Sequence, residues 1–268
     1  MLNYLRRTLP RDALPRLWWR RVRYWYTTRR LTGPKLLRAF ANAYPEAFFV
    51  QIGSNDGEQL DPLRRVILAG RWRGLMVEPV PYVYERLLRN CGPYRDRIRC
   101  VNAAIADHDG ELPFFHLRPV EDYRREGLPF WYDQLGSFRK SVVLKHADVI
   151  PDIEHRLVEV RVPCLSFDTL CRQHGADRVD LLHTDTEGYD FELLKGIDLD
   201  RYRPRLLIYE HYHFTPEDRA ACQAYLAGHG YEVIEEGMDS WCLRVSDAGV
   251  RDARLLALWR KLQRRAVS

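Results

Sequence analysis

The sequence predicts an α/β protein: a mostly parallel sheet, helices on both of its faces, and one antiparallel strand inserted late. Three observations predict it. From residue 47 onward, short apolar runs closed by Gly or an acid alternate with helical patterns, as expected of parallel strands joined by crossover helices. Several of these runs end in polar clusters, and the carboxyl edge of such a sheet is where ligands bind. The last two strand candidates flank Glu236-Gly237-Met238-Asp239, a hairpin turn.

Each element has its own reason. Ala47–Ile52 is an apolar run ended by Gly53, and Arg64–Leu68 reads as the helix after it. Leu75–Val77 is a second strand, closed by Glu78-Pro79. Pro81–Arg89 is a helix with Pro in its first turn. Ile98–Ile105 is expected as one third strand. Val179–Thr184 and Leu206–Tyr209 are the fourth and fifth, with a helical Phe191–Leu194 after the fourth. Pro216–Ala227 is a helix ending near Gly228 or Gly230. Tyr231–Ile234 and Trp241–Val245 form the closing hairpin. Glu111–Leu117 and Leu157–Val162 read as strands around a polar, aromatic stretch, 118–156, that breaks the alternation as an insertion. Long insertions of this kind often shape a substrate site. In Arg251–Arg265, Leu255, Leu256, Leu258, Trp259 and Leu262 fall at helical spacing. The expected plan is a basic aromatic extension over 1–44, a main domain over 45–246 and a packing helix within 247–268.

With 268 residues, 46% of them hydrophobic and 29% charged, the chain is a globular protein, not a disordered one or a rod. No apolar run approaches the length of a membrane span. The net charge of +5 is unevenly spread: residues 1–38 hold eleven Lys/Arg against Asp12 alone, leaving 31 basic and 36 acidic residues elsewhere. In that arm Trp18, Trp19, Tyr24, Trp25 and Tyr26 are interleaved with arginines, which suits packing on the domain, an anionic membrane surface or, less well, nucleic acid. The six cysteines include no C-x-x-C pair. They read as thiols of a reducing compartment, which suggests a cytoplasmic protein, with membrane association through the arm as the variant.

Five motifs carry chemistry. Gln51-Ile52-Gly53-Ser54-Asn55-Asp56-Gly57 links a strand to a helix, with glycines where backbone must turn or approach a ligand closely. Its spacing is neither that of a dinucleotide fingerprint nor that of a phosphate loop. Glu78 ends the second strand, where a carboxylate can accept both hydroxyls of a ribose. Asp107, in Ala103–Gly110, is a short acid beside small residues, suited to the exocyclic amine of an adenine. Asp180–Asp190 runs an apolar strand into Asp185, Thr186 and Glu187. Tyr209-Glu210-His211-Tyr212-His213 ends the neighbouring strand. Asp185, Glu210 and His211 there suit either a base cluster or a hard-cation site.

Together these motifs resemble the FkbM-like family of S-adenosylmethionine-dependent methyltransferases. The resemblance rests on Val50–Gly57, Gly74–Arg89, Ala103–Gly110, Leu165–Leu170, Val179–Gly196 and Leu207–Glu210, in order, over about residues 45–235. It implies a seven-stranded, Rossmann-like class I fold and methyl transfer to a hydroxyl of a sugar, glycan or polyketide-like small molecule. It further implies Gln51, Gly53, Ser54, Asn55, Gly57, Glu78, Pro79 and Asp107 around S-adenosylmethionine. Asp185, Glu187, Glu210 and His211 are the catalytic candidates. Asp185, Glu210 and His211 are the ligands if a divalent ion such as Mg²⁺ assists. Two departures stand out: His183-Thr184-Asp185 where the family often has Lys-Ile-Asp or Lys-Met-Asp, and Gln51 where it usually has an acid or similar group. Phe130, Trp131, Tyr132, Phe138 and Ser137 are candidates for the acceptor pocket.

Three other functions compete. An NAD-linked oxidoreductase would need a third glycine that the first loop lacks. A nucleic-acid methyltransferase fits poorly with an acidic body. A catalytically inactive methyltransferase fold, recruiting partners through the basic arm, is the main alternative.

Overall fold

A computed structural model of the protein describes residues 32–246 and 249–266. The aromatic arm read above at Trp18–Tyr26 lies outside the described residues, and with it the question of membrane contact. No described helix is long and apolar enough to cross a membrane.

The main sheet has seven strands: β1 (Phe48–Ile52), β2 (Arg73–Val77), β3 (Ile98–Val101), β8 (Leu181–Thr184), β9 (Leu206–Glu210), β10 (Tyr231–Glu236) and β11 (Asp239–Arg244). Their order is β10-β11-β9-β8-β1-β2-β3. All contacts from β9 across to β3 are parallel, whereas β11 runs antiparallel between β9 and β10. The hairpin expected at Glu236–Asp239 therefore inserts its second strand into the sheet, leaving β10 at the edge.

Side chains alternate across this sheet and feed two cores. Phe49, Met76, Leu181, Leu206 and Leu243 face one side. There α1 (Thr32–Ala43) brings Leu36, Leu37 and Phe40, and α10 (Ala253–Ala266) brings Leu255, Trp259 and Leu262. The Trp259 indole also donates to Glu232 on β10 at 2.7 Å. Val50, Leu75, Leu182, Leu207 and Cys242 face the other side. They pack against α6 (Phe167–Gln173), α7 (Asp190–Lys195), α8 (Leu199–Tyr202) and α9 (Pro216–Gly228). The helices α2 (Arg64–Ala69) and α3 (Pro81–Cys91) complete the β1–β3 half, burying Ile67 and Leu87.

The third strand is a correction. It stops at Val101, and its expected continuation becomes β4 (Ala104–Ala106), which joins a second sheet. At the break the Asn102 amide donates to the carbonyls of Glu78 and Pro79 at 2.8 and 3.1 Å, which turns the chain away. The second sheet also contains β5 (Gly110–Leu117), β6 (Gly136–Ser137) and β7 (Leu157–Ser166), in the order β4-β7-β5-β6. The departure from regular alternation is thus a small folded lobe beginning before residue 118. Its own core of Leu117, Leu128, Trp131, Tyr132, Val143 and Ile150 is closed by α4 (Lys140–Leu144) and α5 (Ile153–Arg156).

Candidate active site

The carboxyl ends of β2, β1, β8 and β9 open into one cavity of about 520 Å³, within the range of small-molecule sites. Neighbouring strands lie about 4.8 Å apart. Glu78, just past β2, and Glu210, at the end of β9, are therefore separated by three strand steps, roughly 14 Å. The cavity has a β1/β2 end and a β8/β9 end, and the second lobe supplies Phe114, Phe130, Trp131, Asp133, Gln134, Gly136 and Phe138 to its wall.

At the first end, Gly53 and Ser54 both donate their backbone N–H to the Val77 carbonyl, at 3.0 and 2.9 Å. Gly53 has φ +77, and a Cβ there would stand 1.8 Å from the Asp185 carbonyl oxygen. No other residue fits: the conformation disfavours one and the neighbouring backbone excludes one. Asn55, also left-handed at φ +47, donates its N–H to Glu78 Oε2 at 2.9 Å, while Val80 N–H reaches Oε1 at 2.9 Å. The Glu78 carboxylate is only 5% exposed, and burial pushes its pKa up to about 7 against the pull of these two amides and of Arg86. Two of its roughly four acceptor positions are used, and two remain for a ligand. The Asn55 side chain donates to the Asp133 carbonyl at 3.3 Å, tying this loop to the lobe.

At the second end, single carboxylate oxygens of Asp185, Glu187 and Glu210 all lie within 4.8 Å of one another. Asp185 is exposed to the cavity; Glu187 and Glu210 are buried. Desolvation, reinforced by Asp185 and Glu187, raises the Glu210 pKa well above the carboxylate range, because crowded like charges favour a retained proton. Glu187 has a left-handed backbone, φ +49. Its carbonyl accepts the buried Ser137 hydroxyl at 2.9 Å, and its Oε2 meets His213 Nε2 at 2.8 Å. Burial lowers the pKa of His183 to about 4, so this imidazole is neutral at pH 7. It pairs in register with Gln51 on β1. Both departures from the family pattern therefore put a neutral side chain on the cavity wall.

The structure brings together Gln51, Gly53, Ser54, Asn55, Glu78, Pro79, Asp185, Glu187 and Glu210. Three expected residues lie off the wall. Gly57 is a packing glycine, where a Cβ would meet Leu87 at 2.8 Å. Asp107 is exposed and paired with His108 at 2.5 Å. In the same motif Asp109 is the structural acid, accepting from Ser166 N–H and the Thr169 hydroxyl. His211 points to Ser240, its Nδ1 at 2.9 Å from that hydroxyl. Strand alternation explains this: if Glu210 faces the cavity, the next residue does not, and the turn after it returns His213 to Glu187. Of the pocket aromatics, Phe130, Trp131 and Phe138 line the cavity, while the Tyr132 hydroxyl donates to Arg118 O and Ser137 holds Glu187. Sequence reasoning missed Asp61 and Asp133. Asp61 accepts from Gln51 Nε2 at 3.0 Å. Asp133 is bonded by the Tyr123 hydroxyl and paired with Arg86. Neither sits in a periodic segment or a recognisable motif.

This strand order, with its antiparallel insertion, and a glycine loop facing a strand-end carboxylate define a Rossmann-like fold of the methyltransferase class. A family model described as the Methyltransferase FkbM domain matches residues 51–233. The chain belongs to that family, and membership implies S-adenosylmethionine as methyl donor. It is 26% identical over 156 residues to the 2-O-methyltransferase NoeI of Sinorhizobium fredii, a match spanning 57% of this chain and 58% of that protein. Among solved structures it is similar to the methyltransferase FkbM of Methylobacillus flagellatus KT. There the TM-score is 0.47 at 15% identity, over 74% of this chain and 44% of that one. It is also similar to a SAM-dependent methyltransferase of Aquifex aeolicus, with a TM-score of 0.37 at 10% identity, over 80% and 90% of the two chains.

Proposed function

We propose that the chain is an S-adenosylmethionine-dependent O-methyltransferase whose acceptor is a hydroxyl of a sugar, glycan or polyketide-like small molecule. The observation that carries this reading is the shared cavity, with a glycine loop and buried Glu78 at one end and three clustered carboxylates at the other. The resident residues suit the cofactor: Gly53 leaves room for close approach, and Glu78 keeps two acceptor positions for ribose hydroxyls. That a relative is named a 2-O-methyltransferase supports oxygen as the atom methylated.

When bound, the cofactor supplies a methyl on a sulfonium. The protein's part is to hold the acceptor oxygen in line with that methyl and to take its proton. Asp185, the carboxylate open to the cavity, is the base. With S-adenosylmethionine bound, Asp185 would accept the acceptor hydroxyl's proton as the methyl is transferred, beside Glu210, whose burial among carboxylates favours a retained proton of its own. The Mg²⁺ site read from Asp185, Glu210 and His211 lacks its imidazole, since His211 turns to Ser240.

Calorimetric titration with S-adenosylhomocysteine tests the cofactor end. Micromolar binding is expected, weakened in Glu78→Ala by about 1–3 kcal/mol, or roughly 5- to 150-fold. A methyl-transfer screen over glycosides tests the acceptor end. An intact protein that binds no S-adenosylhomocysteine sinks the whole reading.

A further inference from the structure

Behind the β8/β9 end of the cavity lies a cluster that the transfer chemistry leaves unused. His146 follows α4 in the second lobe, Glu187 follows β8, and His213 follows β9. One ligand atom from each lies within 4.8 Å of the other two. His213 Nε2 is 2.8 Å from Glu187 Oε2, and the rings of His146 and His213 are perpendicular, with centroids 6.4 Å apart. All three side chains are buried: His146 is 3% exposed, Glu187 8%, and the His213 side chain 4%. Glu210 Oε2, buried and without a hydrogen-bond partner, lies 3.9 Å from the same His213 nitrogen.

We propose that His146, Glu187 and His213 form a binding site for a divalent transition ion of the Zn²⁺ type. Two imidazoles and one carboxylate suit Zn²⁺, Co²⁺ or Ni²⁺ and disfavour Mg²⁺ or Ca²⁺, which take oxygen ligands. A tetrahedral ion about 2.0–2.1 Å from each ligand separates them by about 3.4 Å. That spacing falls between the close His213–Glu187 pair and the 4.8 Å limit of the cluster. Three protein ligands leave a fourth position, and Glu210 Oε2, 3.9 Å from His213 Nε2, is a buried oxygen near it without a bond. The ion joins three segments distant in sequence: the lobe, the β8 loop and the β9 loop. It would thereby hold the lobe against the main sheet and fix Glu187 on the cavity wall. The site borders the carboxylate cluster through Glu187, but its case rests on the geometry of its three ligands and does not depend on the methyltransferase assignment.

The test uses the full chain, stripped with a chelator and titrated with Zn²⁺ and with Co²⁺. One ion per chain is expected, with d–d absorption from Co²⁺ and higher thermal stability on loading. His146→Ala and His213→Ala should each weaken binding roughly a hundredfold, while Asp185→Asn leaves it nearly unchanged. S-adenosylhomocysteine titration of each variant reports whether the cavity is still folded, and failure there in the wild type counts against the methyltransferase reading alone. Independently of any variant, the cobalt-loaded wild type should show two paramagnetically shifted, exchangeable imidazole N–H resonances. The proposal is overturned by no stoichiometric binding or by undiminished binding in both histidine variants. It is also overturned by loss of binding in Asp185→Asn alone, or by a sulfur-to-cobalt charge-transfer band, which would move the ion to the carboxylates or to a cysteine.

Discussion

The two ends of the cavity are built on different principles. The β1/β2 end is local: Gly53, Ser54, Asn55 and Glu78 fall within 26 residues, and backbone amides of the same loops hold the carboxylate. The β8/β9 end is assembled from afar. Glu187 is held by Ser137, 50 residues away, and by His213, 26 residues away. A locally built site should tolerate changes in the lobe and still bind its ligand. A site assembled across the lobe should fail whenever the lobe is loosened. The variants below either break that distinction or sharpen it.

The largest effect is expected at the assembled end. Asp185→Asn removes the carboxylate that faces the cavity but keeps its shape. Turnover should drop by about 10²–10⁴-fold, the usual contribution of a positioned base, with S-adenosylhomocysteine affinity changed little. Single-turnover methyl transfer and calorimetry on the same preparation separate the two. Near-normal turnover in Asp185→Asn would move the base to Glu210 or leave positioning alone to carry the rate.

Legibility in the sequence follows the same division. Most strand positions of the main sheet, the inserted antiparallel strand and the β1/β2 loop were readable because each rests on short-range signals: apolar runs, a strand-end glycine, a hairpin turn. The break at Asn102 was not readable, since Val101 and Ala104–Ile105 look like one apolar run and only tertiary pairing of β4 with β7 parts them. Gly57 and Asp107 looked functional because a motif implies a surface, yet one packs on Leu87 and the other faces solvent. At Glu210–His213 the sequence supplied both imidazoles but not the turn that selects between them. His146 and Asp133 carried no signal at all, because the lobe that presents them has no regular period.

The local end has its own signature in pH. Burial raises the Glu78 pKa to about 7, above the ordinary carboxylate value it regains on unfolding. The native state therefore keeps a proton to higher pH than the unfolded chain does. Free-protein stability should fall as pH rises from about 4.5 to 7, where the buried group must ionise. Cofactor binding should run the other way, because only the ionised form accepts both ribose hydroxyls. S-adenosylhomocysteine affinity should weaken about tenfold per unit below pH 7. Glu78→Gln should flatten both profiles. A wild-type affinity that stays level from pH 5.5 to 8 would remove the Glu78 carboxylate from ribose recognition.

The smallest expected effect discriminates most sharply between the two principles. Ser137, fully buried on β6, donates to the Glu187 carbonyl and accepts the Arg139 N–H at 3.1 Å. Ser137→Ala removes both bonds, at a stability cost of about 1–3 kcal/mol, read as a lowered Tm. The left-handed turn at Glu187 then loses its support from the lobe. The acceptor KM should rise severalfold, while S-adenosylhomocysteine affinity remains as in the wild type, because no backbone bond of the Gly53–Glu78 loop involves the lobe's β6 strand. Equal weakening of both ligands would mean that the lobe supports the whole cavity. In that case the Asn55 contact to the Asp133 carbonyl, not the distance between the two ends, would be the feature that couples them.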